Sequence, residues 1–307
     1  MRVLLVEATM DELLELERGV AELADGWEID VAVGTRGALA VLGAAPFDVL
    51  VTSLDDGELL EEARLRYPEV ARIALSAETD HAAVLWLLRA AHQVLSKPCR
   101  ADTLVRSLQH LDEALARVSE DQRVASGGID SFAAEGGPLA TLLRDRSRAD
   151  VASVSALVGS DAGLAAKVLQ IANTDFFSRG CPVVDLPTAV QRVGLEALRS
   201  ALACGLFAST RQPERVSLAV ANAAASLVPP RLRDEAFVAA LLSDVDAQLL
   251  ALWGLPASIV DAAAALQVSA SSTWPARDGG LAVVLQVARE QVAAVAHGTL
   301  RVVARAA

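Results

Sequence analysis

Five short apolar runs, each followed by a stretch of helical spacing, fill the first hundred residues and leave few folds open. Residues 3–6 form an unbroken apolar run of strand length, and Leu13, Leu16 and Val20 then recur at helical intervals. Ile29, Val31 and Val33 alternate as a strand does, and 38–42 is helical in character. Residues 49–51, 73–75 and 94–95 supply three more strands. Helices are predicted after them from Leu59, Leu60 and Ala63, over 84–88, and from Ala101 onward. Strands that alternate with helices pair in parallel, because each return crossover runs through a helix. The implied architecture is an α/β sheet covered on both faces. In such folds chemistry sits at the carboxyl ends of the strands. The residues at and just after the ends of the runs are therefore where a site is to be sought. Residues 34–37, with two glycines, are too sparse for a phosphate-binding loop and read as a strand-to-helix turn.

From Ala101 the pattern becomes one helix. Leu104, Leu108, Leu111, Leu115 and Val118 step by four and three, a heptad seam about two heptads long. Its first half is expected to pack on the sheet, and its second half to reach a partner or the next domain. The segment 126–137, rich in Gly, Ser and Ala with two Gly-Gly pairs, reads as a linker. The predicted division is 1–118, an extension and linker at 119–137, and a second domain over 138–307. Past Pro138 every pattern is helical. Val151, Val154, Leu157 and Val158 share one face. Asp161 is a predicted N-cap for a helix carrying Leu164, Val168 and Ile171, and Asp185 caps another with Pro187 in its first turn. Helical patterns continue through 196–208, 216–227, 234–253, 257–267 and 280–296.

Composition narrows the function. The 307 residues are 53% hydrophobic but only 4% aromatic, so the core must be Ala, Leu and Val, and each half is long enough for a core of its own. The net charge of −12 is unevenly spread: residues 1–120 carry −11 and the rest −1. Acidic balance without a basic run argues against nucleic acid as a partner. Mean hydropathy is high, +0.39, yet the longest uncharged stretches are interrupted, one by Gln248, Gly254 and Pro256 and another by Pro229 and Pro230. Neither supplies the roughly 20 apolar residues of a membrane span. Glu7 breaks any leader-like run at the start, and three scattered cysteines suit a reducing compartment. Cys181 and Cys204 are expected to be small buried residues. The expectation is a cytoplasmic protein with no membrane insertion.

Specific stretches carry two resemblances. VLLVEA at 3–8, FDVLVTS at 47–53, RIALSAE at 72–78 and VLSKP at 94–98 resemble the receiver domain of two-component response regulators, a flavodoxin-like fold. The long stretch 158–202, with Asn173, Phe176–Phe177 and Val193–Gly194–Leu195, resembles an HDOD domain, an all-helical relative of the HD phosphohydrolases. A later echo lies at 236–250.

The receiver resemblance implies a phosphorylated Asp after the third strand, two acids for Mg²⁺ after the first, a hydroxyl after the fourth and a Lys after the fifth. Here Glu7 fills one acidic position and Ala8 the other. Ser53 replaces the nucleophile, Ser76 keeps the hydroxyl, Lys97 keeps the lysine, and Val94 takes the aromatic switch position. Glu7 alone is a poor Mg²⁺ cage. Ser53 is expected to have no base beside it and to be a weak phosphoryl acceptor, and Lys97 is expected to pair with Glu7. The domain is therefore expected to escape ordinary phosphorylation, with Asp55 or Asp56 as unusual alternative acceptors. The HD resemblance implies a metal held by His and Asp, but the paired position reads Ser243–Asp244, followed by Val245–Asp246, and only His297 lies in this half. No metal set, cofactor or complete catalytic set is expected. The function implied is a non-catalytic signalling protein that binds a protein partner, or a small ligand in the pocket the lost metal leaves. A homodimer would use the first half or the helix over 102–124. A phosphorelay regulator with a non-standard acceptor and a metal-dependent phosphohydrolase are the alternatives.

Overall fold

The computed structural model describes residues 1–23, 26–54, 57–115, 137–178, 181–207, 215–245, 247–267 and 279–296. The first half contains β1 (Arg2–Glu7), α1 (Met10–Ala21), β2 (Glu28–Val33), α2 (Gly34–Ala44), β3 (Val49–Thr52), α3 (Glu58–Arg66), β4 (Ala71–Ser76), α4 (His81–Leu87), β5 (Gln93–Ser96) and α5 (Ala101–Leu115). All pairings are parallel, in the order β2-β1-β3-β4-β5. That order is the flavodoxin-like doubly wound topology. Val3, Leu4, Leu5 and Val6 are all fully buried, as expected of a strand covered on both faces. Each predicted strand is present and a residue or more longer than its apolar run.

Residues 34–37 are the opening turn of α2, entered at Gly34 with φ +68°, where a side chain would be strained. In α5, Leu104, Leu108 and Leu111 are buried, but the Leu115 side chain, Val118 and the rest of the proposed extension and linker through 136 lie outside the described residues.

The second half comprises α6 (Pro138–Arg144), α7 (Val151–Val158), α8 (Ala162–Asn173), α9 (Asp175–Ser178), α10 (Leu186–Val193), α11 (Leu195–Ala203), α12 (Arg215–Leu227), α13 (Arg233–Leu241), α14 (Ala247–Leu252), α15 (Ala257–Gln267) and α16 (Gly279–Ala296). Among the described residues no strand occurs past Pro138. The predicted caps hold: Asp161 accepts from the Leu164 N–H at 2.9 Å, and Asp185 from Thr188 at 2.7 Å. The helical pattern read over 234–253 is interrupted at Leu242–Asp244, a 3₁₀ turn in which the Ser243 hydroxyl donates to the Ala240 carbonyl at 2.7 Å. Serine bonded to its own helix backbone in this way favours a break.

The expectation of separate cores also gives way. A small cluster around Leu4, Leu42, Leu50 and Leu59 covers one face of the sheet. The other face belongs to a large cluster running without interruption from Val3, Leu85, Leu88 and Leu108 into Leu169, Leu249 and Trp253. The joint is made by α4 against α11, β5 against α9, and α5 against α14.

Candidate functional site

The carboxyl ends of β1, β3 and β5 bring Glu7, Ser53 and Lys97 together. Parallel register sets this: Val6 pairs with Thr52, so Glu7 and Ser53 leave adjacent strands side by side. Glu7 and Ser53 are 4% and 7% exposed. The Ser53 hydroxyl donates to Glu7 Oε2, and Lys97 Nζ lies 3.5 Å from the same oxygen. The predicted Lys97–Glu7 pair is present. Ser53 does have a carboxylate beside it, contrary to the sequence expectation, because the sheet joins residues 46 positions apart. Ser76 is buried at the end of β4 and accepts the Glu78 N–H at 3.1 Å. Val94 is buried in β5. Asp55 and Asp56, the alternative acceptors, lie outside the described residues.

Chemically this pocket is closed on itself. One carboxylate oxygen receives both a hydroxyl and an ammonium, so Glu7 pairs with Lys97 instead of facing a metal ion. A divalent ion needs several oxygen ligands, and Ala8 supplies none.

Ser243 is buried and turned onto the α13 backbone. The side chain of Asp244, and all of Asp246 and His297, lie outside the described residues. Among the described residues no group of three His, Cys, Asp or Glu could hold a metal ion. Cys181 is exposed and Cys204 half-buried, which corrects the expectation that both are buried. Cys181 sits in the open stretch between α9 and α10, its carbonyl taken by the Arg192 guanidinium.

The stretch with the HDOD resemblance builds the joint. The Asn173 side-chain amide donates to the carbonyls of Leu169 and Val183 at 3.0 Å each and accepts the Val183 N–H at 2.7 Å, pinning the turn that carries α9. Phe176 and Phe177 from that turn meet His81 of α4, with ring centroids 5.2 and 5.4 Å away. Asp175 accepts the Ser96 N–H of β5 at 3.3 Å. Gln170 donates to the His92 carbonyl at 2.9 Å, and Gln93 to the Leu252 carbonyl at 3.0 Å. The α4–β5–α5 side of the sheet is thus occupied by helices of the same chain. Two clefts open at this joint.

One cleft at the joint was not legible as a site in the sequence. Arg72 of β4, His92 before β5 and Lys167 of α8 converge there, with Trp253 on the wall. The Lys167 ammonium donates to Gln170 Oε1 at 2.9 Å and stands 4.3 Å from the centroid of the Trp253 ring. Burial pushes the Lys167 ammonium down to about 7. Burial, aided by the nearby Arg64, lowers Arg72 to about 10, and burial with Arg72 and Lys167 alongside keeps His92 neutral. A signal was available: Lys167 falls on the helix face of Leu164 and Ile171, where an apolar residue belongs.

Residues 139–251 match the HDOD domain family. A search of curated proteins finds no match to the chain. Among solved structures, the receiver domain of a Francisella response regulator is 23% identical, with a TM-score of 0.33 over 35% of this chain and 93% of that one. The chemotaxis response regulator CheY4 of Vibrio cholerae is 24% identical, with a TM-score of 0.31 over 35% of this chain and 95% of that one. At such scores these likenesses say nothing of function.

Proposed function

We propose that this chain, with a flavodoxin-like half of receiver type followed by an HDOD domain at 139–251, is a signalling protein that works without phosphoryl transfer. The first half serves as a scaffold docked on the helical half. The helical half binds a protein partner or a small ligand. The observation that carries this reading is the closed pocket: the Ser53 hydroxyl and the Lys97 ammonium both turn to the one acid, Glu7. A working phosphoryl site needs a carboxylate nucleophile and free positive charge for the transferred oxygens.

The test is incubation of the full chain with acetyl phosphate and Mg²⁺, followed by intact mass measurement. No mass increase is expected. Stoichiometric phosphate that disappears in Ser53→Ala would overturn the reading. Phosphate that survives in Ser53→Ala but disappears in Asp55→Asn or Asp56→Asn would favour a non-standard acceptor instead.

A further inference from the structure

The cleft at the joint gathers more positive charge than anything around it balances. Its lining includes Arg64, Arg72, Arg89 and Lys167 against a single carboxylate, Glu61, in a chain whose net charge is −12. Glu61 holds the rim, 2.9 Å from Arg64 and 4.0 Å from Arg89. Deeper in, Arg72 and Lys167 are 3% and 7% exposed, and neither has a carboxylate partner among the described residues. Buried positive charge without a carboxylate beside it is costly, so an arrangement of this kind suits an anion.

The hydrogen bonds say where that anion would sit. His92 Nδ1 accepts the backbone N–H of Arg72 at 3.0 Å. A neutral imidazole has one acceptor nitrogen, so Nε2 must carry the proton. Yet Nε2 lies 3.4 Å from Arg72 Nη2, which is also a donor. The other guanidinium nitrogens of Arg72 serve the carbonyls of Ala90, Val70 and Pro68. Two buried donors therefore face each other with no acceptor between them among the described residues. Lys167 adds two N–H groups beyond the one given to Gln170. The cleft offers about 80 Å³, several times the ~10–15 Å³ that one water needs.

We propose that this cleft binds a small oxyanion of the phosphate class, held from inside by Arg72, His92 and Lys167 and at the mouth by Arg89, and that the anion ties the two halves together. A tetrahedral oxyanion can place one oxygen between Arg72 Nη2 and His92 Nε2 and turn another to the Lys167 ammonium. Multiple negative charge matches the excess of cations, and the guanidinium fork suits phosphate geometry. The source is either free phosphate or the phosphate end of a nucleotide whose base stays outside the narrow cleft. This goes beyond the scaffold reading and does not rest on it: loss of anion binding would leave that reading intact, and phosphate incorporation at Ser53 would leave this one intact.

The experiment is calorimetric titration of the full chain with inorganic phosphate, AMP and adenosine, with chloride at matched ionic strength as control, alongside melting curves. Saturable phosphate binding tighter than about 1 mM is expected, with a melting temperature that rises and saturates. Arg89→Ala and Lys167→Gln should each weaken binding about tenfold, the worth of one charge-assisted hydrogen bond. Arg100→Ala, exposed and outside the cleft, should leave it unchanged. Equal affinity for phosphate and AMP assigns the free ion. AMP at least tenfold tighter, with adenosine inert, assigns a nucleotide phosphate. The proposal is overturned if neither phosphate nor AMP saturates, if chloride stabilises as well as phosphate, or if Arg89→Ala binds as the wild type does. Arg89 is a rim residue with its side chain 43% exposed, so that variant keeps the test alive should Lys167→Gln fail to fold.

Discussion

Lys97 and Lys167 meet the same problem, an ammonium drawn toward the interior, in opposite ways. Lys97 lies at the end of β5, its side chain 31% exposed, 3.5 Å from Glu7. Lys167 is 7% exposed and, among the described residues, meets an amide oxygen and an indole face. The first arrangement is complete within the chain; the second becomes complete with an outside anion. The difference teaches that the residues marking a familiar chemical pocket are here the self-satisfied ones, while unspent binding capacity lies at the joint.

The largest test of this contrast removes the wall of the joint. Trp253 is 5% exposed and part of the shared core, so Trp253→Ala should cost about 3–5 kcal/mol in urea unfolding. Loss of one common transition, with the halves unfolding separately, is the expected accompaniment. A small cost with a single transition retained would mean that the halves do not depend on this contact.

The next test uses pH. The folded Lys167 titrates at about 7, below its ordinary 10.5. Between those values the unfolded chain binds the extra proton, so stability rises with pH through that window, by at most about 1.4 kcal/mol per unit. Below about pH 7 both states are protonated and the penalty is present in full. Without added phosphate, Lys167→Met should flatten the rise and be more stable than wild type at neutral pH. An unchanged slope in Lys167→Met would locate the effect elsewhere.

The smallest effect belongs to the closed pocket. Lys97→Met leaves Glu7 buried with only the Ser53 hydroxyl, and should cost about 1–2 kcal/mol in the same unfolding assay. A gain in stability would show that the pair is not what settles Glu7.

The sheet and most helices were legible because both signals are local. Apolar runs at 3–6 and 49–51 mark two-sided strands, and the carboxylates of Asp161 and Asp185 mark helix starts three residues from their partners. The pocket remnants Glu7, Ser53, Ser76 and Lys97 were legible through the receiver resemblance of the stretches 3–8, 47–53, 72–78 and 94–98. The joint was not. Arg72, His92 and Lys167 are brought together by β4, the approach to β5 and α8, and each looks ordinary within its own segment. The Glu7–Ser53 bond was missed for the same reason: its partners are 46 residues apart and only register unites them. The break at Leu242–Asp244 went unread because the apolar pattern continues across it, while one hydroxyl bond interrupts the backbone.

The shared core also has a consequence in time. A ribosome delivers the sheet half first, and at about 5–20 residues per second the stretch from Pro138 to Trp253 follows over roughly ten seconds. Until it arrives, Leu85 and Leu88, buried at 0% and 1% exposure in the finished protein, lack the helices that complete their surroundings. The nascent chain therefore passes through a stage with an uncovered apolar flank, the kind of surface that chaperones hold and that aggregation exploits. The helices that dock there, α11 against α4 and α9 against β5, double as the chain's own late-arriving shield.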